Sequence, residues 1–379
     1  MTASNRLRLS YYVAEPPVDE AVEAYFEVHD KYLEMGLPTY IVSPRGLGDE
    51  KLRLKESFRS LVGELKPLGY IPKLKPHIDR YAITLIRRPL EGEENYRINI
   101  ILLAATAATV FIDGYMRSSN PVLTRILMPG VPAYLNALLF TSAILSIFGL
   151  HELGHKLAAV RRGVKTSMPF FIPAPPGMGG TFGAVITQRE PPTNRDDLFD
   201  IGFSGPAVGL LVSLIVAVIG LKLSFIVPAD EVLEWSIRFP GVRIRGIPFP
   251  LLLSLLAQFL KPTPRGMVLI LHPIAFAAWV GCIVTFINLI PSWQLDGGHI
   301  CRALLGRELH RKVSIIGIFI LLVSGYFLMA IMLALFMMWT RGEGGAPLDE
   351  VSPLSLSRKL LALLYVAMII LTFVFITPI

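Results

Sequence analysis

The sequence predicts an α-helical polytopic membrane protein with about six transmembrane helices, preceded by a small soluble α/β domain. Three observations lead there. With 53% hydrophobic and only 17% charged residues, the 379-residue chain is too apolar for a soluble domain of its length. Charge-free runs occupy 98–112, 126–150, 201–221, 266–295, 313–340 and 360–379, and most meet the roughly 18–25 residues needed to cross about 30 Å of hydrocarbon. The chain before the first run is polar, with short helix- and strand-like periodicities instead.

Residues 1–95 form the first expected domain, and 96–379 the membrane domain. Within the first, periodicity predicts a helix over 18–35, a strand at 39–42, an amphipathic helix over 49–65, and strands at 70–74 and 81–86. Nothing in this unit has catalytic spacing, and His29 and His77 read as surface residues. No cleavable-signal pattern opens the polar N-terminus. The run at 98–112 is short unless Asp113 sits at the membrane interface. The stretch 246–260, with Pro248 and Pro250, is shorter still and reads as interfacial or re-entrant.

A net charge of +7 invites a nucleic-acid reading, but its location argues otherwise. The first 97 residues carry 15 basic and 15 acidic side chains, leaving 21 of 36 basic and 14 of 29 acidic residues to the membrane part. The excess sits in loops, where Lys and Arg set orientation. Arg87, Arg88 and Arg97 before the first span, and Lys156, Arg161, Arg162 and Lys165 after the second, place the N-terminal domain and that end of the second span on the cytoplasmic side of a cell membrane. Cys282 and Cys301 are too few for a disulfide framework or a thiolate metal site.

At the end of the second run stands His151-Glu-Leu-Gly-His155. On a helix the two histidines lie one turn apart on one face, the spacing of a metal pair, with Glu152 beside them as a candidate base. Catalytic zinc takes three protein ligands and keeps one position for water, so a third ligand must come from elsewhere. Asp113, Asp200, His272, Asp296 and His299 are the candidates near membrane depth. Asp296 is preferred: Pro291 should end the preceding helix, and Gly297 and Gly298 should let the backbone turn the carboxylate inward. Its competing role is an N-cap for a helix at 299–305. His299 is the reserve ligand, and His272 a structural histidine.

Zinc so held lowers the pKa of its water to about 7 and polarises a carbonyl. Glu152 would take the proton from that water and pass it to the leaving amine. Asn288 offers either a donor to an oxyanion or a helix–helix hydrogen bond. The stretch 168–188 has prolines at 169, 173, 175 and 176 and glycines at 177, 179, 180 and 183, which excludes a helix. Its end, 181–188, is strand-like, so Gly180, Thr181, Phe182 and Gly183 either offer an edge that binds substrate as an added strand or belong to a hairpin covering the site.

The pair His151-Glu-Leu-Gly-His155 and Asn288-Leu-Ile-Pro-Ser-Trp-Gln-Leu-Asp296-Gly, with Gly202-Phe-Ser-Gly-Pro-Ala207 between, resembles the site-2 protease family of intramembrane zinc metalloproteases. The likeness runs over about 131–311 and implies a three-helix catalytic core, with the C-terminal helices of 312–379 outside it. Met168-Pro-Phe-Phe-Ile-Pro173 followed by Gly180-Thr-Phe-Gly-Ala184 is similar to the branch with the chloroplast members. The resemblance implies one Zn2+ per chain on His151, His155 and Asp296, Glu152 as general base, and Asn288 near the scissile carbonyl. It also implies a membrane-anchored protein substrate cut within or beside the lipid bilayer. No stretch between runs is long enough for the PDZ module many members carry. The competing readings are a metal-ion carrier, which would need ionisable residues on several spans, and a binder of membrane helices that does not cut them.

Overall fold

The computed structural model describes residues 16–88, 96–177, 179–239, 246–340 and 345–376. Parts of the expected N-terminal domain (1–15 and 89–95) and the last three residues of the expected final span lie outside them.

The N-terminal unit is α/β. Helix α1 (Pro16–Tyr25) leads into strands β1 (Phe26–Glu34) and β2 (Leu37–Pro44), followed by α2 (Glu50–Leu65), β3 (Tyr70–His77) and β4 (Arg80–Arg87). The strands form one antiparallel sheet in the order β1-β2-β4-β3. In α2 the buried positions Leu54, Phe58, Leu61 and Leu65 repeat with helical spacing. Asp49 caps its N-terminus by accepting from the backbone N–H groups of Lys51 and Leu52.

The expected helix at 18–35 stops at Tyr25, and its second half is β1. The cause is a two-residue hairpin: Met35 (φ 51°) and Gly36 (φ 81°) both take left-handed backbone, and Glu34 pairs with Leu37. That turn matches strand twist and locks the preceding residues into the ladder.

The membrane part is mostly helical. Helices α3 (Tyr96–Ser118), α4 (Ala133–Arg161) and α5 (Arg195–Leu223), of 23, 29 and 29 residues, are long and apolar enough to cross a membrane. The first exceeds its charge-free run because Asp113 is buried in the helix and paired with Arg117 at 2.6 Å. The hairpin β5 (Phe170–Pro173) and β6 (Thr181–Val185) lies between α4 and α5.

After α5 come β7 (Phe225–Pro228), α6 (Ala229–Arg238), α7 (Leu251–Leu260), β8 (Met267–Ile270) and α8 (Pro273–Leu289). The run at 266–295 is therefore only partly helical: its start pairs with β7, and α8 begins where the His272 ring accepts from the Ile274 N–H at 3.2 Å. Ten-residue α7 spans about 15 Å, half the hydrocarbon thickness. The chain ends with α9 (Asp296–Leu305), α10 (Arg307–Val323), α11 (Phe327–Trp339) and α12 (Leu356–Thr372). The run at 313–340 is broken at Gly325 (φ 90°), where an added Cβ would stand 1.9 Å from the Ile376 carbonyl oxygen. The segment after α12 fills that break, with the Ile376 N–H donating to the Ser324 carbonyl at 3.0 Å.

The two parts are packed together. Lys55 and Arg59 of α2 pair with Asp196 (2.7 Å) and Asp197 (3.1 Å) in the first turn of α5, and Lys66 pairs with Glu190 (2.6 Å). The segment between α11 and α12 returns to the sheet: the Leu74 N–H donates to the Leu348 carbonyl at 3.0 Å, and the Leu348 side chain is buried in the N-terminal core. In the membrane part α5 packs against both α4 and α8, with glycines at the contacts.

Candidate active site

Helix α4 is where the site starts. His151 and His155 sit one turn apart near its C-terminal end, and both are buried. Their Nε2 atoms face each other at 3.1 Å. Asp296 enters from α9, which starts after the break that Pro291 and the left-handed Trp293 (φ 46°) make beyond α8. Its Oδ2 lies 3.2 Å from His151 Nε2 and its Oδ1 3.2 Å from His155 Nε2. Asp296 is in the first turn of α9, where Leu295 holds the cap position, so its carboxylate is aimed at the histidines and does not cap. Gly297 and Gly298 are helical, and their small size is what matters. Cβ atoms there would stand 2.1 Å from the Leu289 carbonyl oxygen and 2.2 Å from that of Trp293.

These three side chains are the candidate metal group among the described residues. Two zinc–nitrogen bonds of about 2.05 Å at a tetrahedral angle put their nitrogens about 3.3 Å apart. The observed 3.1–3.2 Å separations fit a single cation between the three. Two neutral imidazole nitrogens and one carboxylate are also a suitable donor set.

The histidine rings are fixed by α5. His155 Nδ1 donates to the Ile201 carbonyl at 2.7 Å, which leaves Nε2 as the lone-pair atom facing Asp296. Gly205 and Gly209, one turn apart on α5, lie against the two histidines, themselves one turn apart on α4. A Cβ at Gly205 would be 2.0 Å from His155 Nε2, and one at Gly209 would be 2.8 Å from His151 Nδ1. Sequence reading gave these glycines no role, although their four-residue spacing in an apolar run was the available signal.

The Glu152 carboxyl is buried, 4.0 Å from His151 Nε2, within reach of the Ile186 backbone N–H. Asn288 Nδ2 is 3.5 Å from His151 Nε2. Together with the ligand set they line a cavity of about 200 Å3 whose other walls include Ala184, Val185, Ile186, Gln188 and Gln294. Of the expected strand residues, Thr181 and Phe182 line a neighbouring cleft of about 400 Å3 that shares Asn288, while Gly180 and Gly183 are in the same hairpin. The strand-like stretch expected at 181–188 thus reaches the histidines through Ala184, Val185, Ile186 and Gln188, which line their cavity, and not through the four residues expected to meet substrate.

The other ligand candidates have different surroundings. Asp113 pairs with Arg117, Asp200 with Arg162 and with Arg358 (3.0 Å), and His272 caps α8. His299 lines the cavity outside the metal group, packed against Gly202 and Gly345.

Residues 139–332, just over half of the chain and including every residue of this cluster, match the model of Peptidase family M50. The chain belongs to peptidase family M50. Among curated relatives, it is 33% identical over 184 residues to "Probable zinc metalloprotease EGY2, chloroplastic" of Arabidopsis thaliana, covering 48% of this chain and 31% of that protein. It is 31% identical over 202 residues to "Probable zinc metalloprotease EGY1, chloroplastic" of Oryza sativa subsp. japonica, covering 53% and 33%. The matches thus span about a third of the length of these relatives. No solved structure matches this M50 chain.

Proposed function

We propose that the chain is a multi-pass intramembrane zinc endopeptidase that hydrolyses a peptide bond in a membrane-spanning helix of a substrate protein. The observation that carries this reading is the convergence of His151, His155 and Asp296 within 3.1–3.2 Å of one another, with a buried Glu152 beside them. Relatives described as probable zinc metalloproteases support the metal and the reaction class, and three long apolar helices support the setting.

His151, His155 and Asp296 would hold the zinc, one per chain. When bound, zinc supplies a Lewis acid that polarises the scissile carbonyl and makes water more acidic. Glu152 takes the proton of the attacking water and hands it to the leaving amine. Asn288 is near enough for its amide to donate to the oxygen of the tetrahedral carbon. Gly180, Thr181, Phe182 and Gly183 belong to the hairpin that meets substrate as an added strand. Burial of His151, Glu152 and His155 keeps bulk water from competing with their hydrogen bonds.

We read α3, α4, α5, α8 and α12 as crossings. Helices α10 and α11 leave and return on one face, because Ser314 near the start of α10 and Thr340 after α11 both bond Trp293, Leu348 beyond α11 is buried in the N-terminal core, and Arg358 at the start of α12 pairs with Asp200 near the start of α5. The single crossing expected at 313–340 is therefore not kept. Basic residues around the spans put the N-terminal domain and the His155 end of α4 on the cytoplasmic face of a cell membrane. The contacts of Lys55 and Arg59 with the start of α5 agree with a common face for both.

Glu152→Gln tests the mechanism directly. The variant should retain one zinc per chain by elemental analysis and lose cleavage of a single-span helix co-reconstituted in proteoliposomes. Cleavage at the wild-type rate would remove Glu152 as the base and with it this mechanism.

A further inference from the structure

We propose that Asp113 is a positioning residue that holds the substrate-facing hairpin over the active site. This rests on the endopeptidase reading above but concerns α3, which lies before the 139–332 segment shared with the family. A carboxylate within an apolar helix calls for a partner and a purpose. Asp113 is 1% exposed and uses both oxygens. Oδ2 accepts from Arg117 Nε at 2.6 Å, and Oδ1 accepts from the backbone N–H of Gly177 at 2.6 Å. An ion pair within one helix needs no bond to a loop 64 residues away. Here the pair is built around that bond.

The rest of the same helix face repeats the pattern. The Thr109 hydroxyl donates to the Gly180 carbonyl at 2.7 Å, and Asn99 Nδ2 donates to the carbonyls of Met168 and Pro169 at 3.1 and 2.9 Å. Positions 99, 109, 113 and 117 share one side of a helix. Gly180 is pressed so close that a Cβ would stand 2.5 Å from Val110 Cα. Arg117 also lies over the Phe276 ring of α8 at 4.2 Å, so the clamp ties α3, the hairpin and α8 together.

What it holds is the wall of the site. Ala184, Val185 and Ile186 line the catalytic cavity, and Thr181 and Phe182 line the adjoining cleft that reaches Asn288. Asp113 itself is not among the residues lining the catalytic cavity, so it acts through the strand. Its loss should weaken substrate capture and leave the chemical step intact.

The test uses the full zinc-loaded chain in nanodiscs. The probe is a synthetic single-span helix of leucine and alanine with one central Asn-Pro pair. Replacing the pair together, Asp113→Leu with Arg117→Leu, avoids an orphan cation. We expect amide exchange across 177–186 to accelerate about tenfold or more, KM to rise about tenfold, kcat to stay within about threefold and zinc content to stay at one per chain. Asp113→Asn keeps an oxygen acceptor for Gly177 and should restore KM to within about threefold of wild type. Thr109→Val, which removes one hydroxyl and disturbs folding least, should shift exchange and KM in the same direction by about threefold. Unchanged exchange in the hairpin, a fall in kcat or zinc at constant KM, or failure of Asp113→Asn to rescue would each overturn the proposal. If wild type leaves the probe uncut, the endopeptidase reading fails for this substrate, while hairpin exchange still decides on the clamp.

Discussion

Gly205→Ala should strip the protein of metal while leaving it folded. The new Cβ would stand 2.0 Å from His155 Nε2, against about 3.5 Å for an ordinary contact, so the ring must withdraw by about 1.5 Å. Rotating the ring away costs the apo fold about 2–4 kcal/mol, overpacking and the lost buried hydrogen bond together, which a packed membrane protein can bear. Ligation tolerates far less, since zinc–ligand distances hold to about 0.2 Å. The same rotation breaks the 2.7 Å bond from Nδ1 to the Ile201 carbonyl. Losing a supporting hydrogen bond alone weakens metal sites by about 10–100-fold. With the ligand displaced too, we expect zinc affinity to fall by at least about 100-fold, or 2.7 kcal/mol. Competition against a chromophoric chelator measures the affinity, and circular dichroism of apo protein checks the fold. A zinc Kd within threefold of wild type at unchanged apo stability would refute the packing argument.

Removing zinc with a chelator should lower the unfolding midpoint, and zinc at 100 times its Kd should restore about 2.7 kcal/mol; an indifferent midpoint would mean that no metal stabilises the fold. Leu348→Ala opens the N-terminal core from its C-terminal contributor and should cost about 2–5 kcal/mol, read as faster amide exchange in β3 and β4. No change there would make the insertion incidental. Gly63→Ala lies on the exposed face of α2, where an added Cβ meets nothing within 4 Å, so it should stabilise that helix by about 0.5–1 kcal/mol. A lower midpoint would show that the glycine has a packing role.

The convergence at the site was legible because its parts follow short-range rules: histidines four apart share a helix face, and proline followed by glycines marks a break. Element types within apolar runs were not. Residues 267–270 are as apolar as the helix that follows, and only pairing with 225–228 makes them a strand. The break at Gly325 is likewise set by a carbonyl 51 residues away. Gly205 and Gly209 were visible as small residues, but what they make room for depends on which helix lies opposite. The hairpin at Met35 and Gly36 was within reach, had the turn been weighed against the helical periodicity around it.

The insertion of Leu348 into the N-terminal core also orders events in time. Chain elongation at about 5–20 residues per second separates the end of β4 from Leu348 by about 13–50 s. Throughout that interval the nascent sheet lacks one of its core side chains, and the backbone of β3 that later bonds Leu348 is an open edge. The N-terminal unit is thus synthesised before the membrane helices and completed after most of them, and its closure reports that the helices before Leu348 have already been laid down.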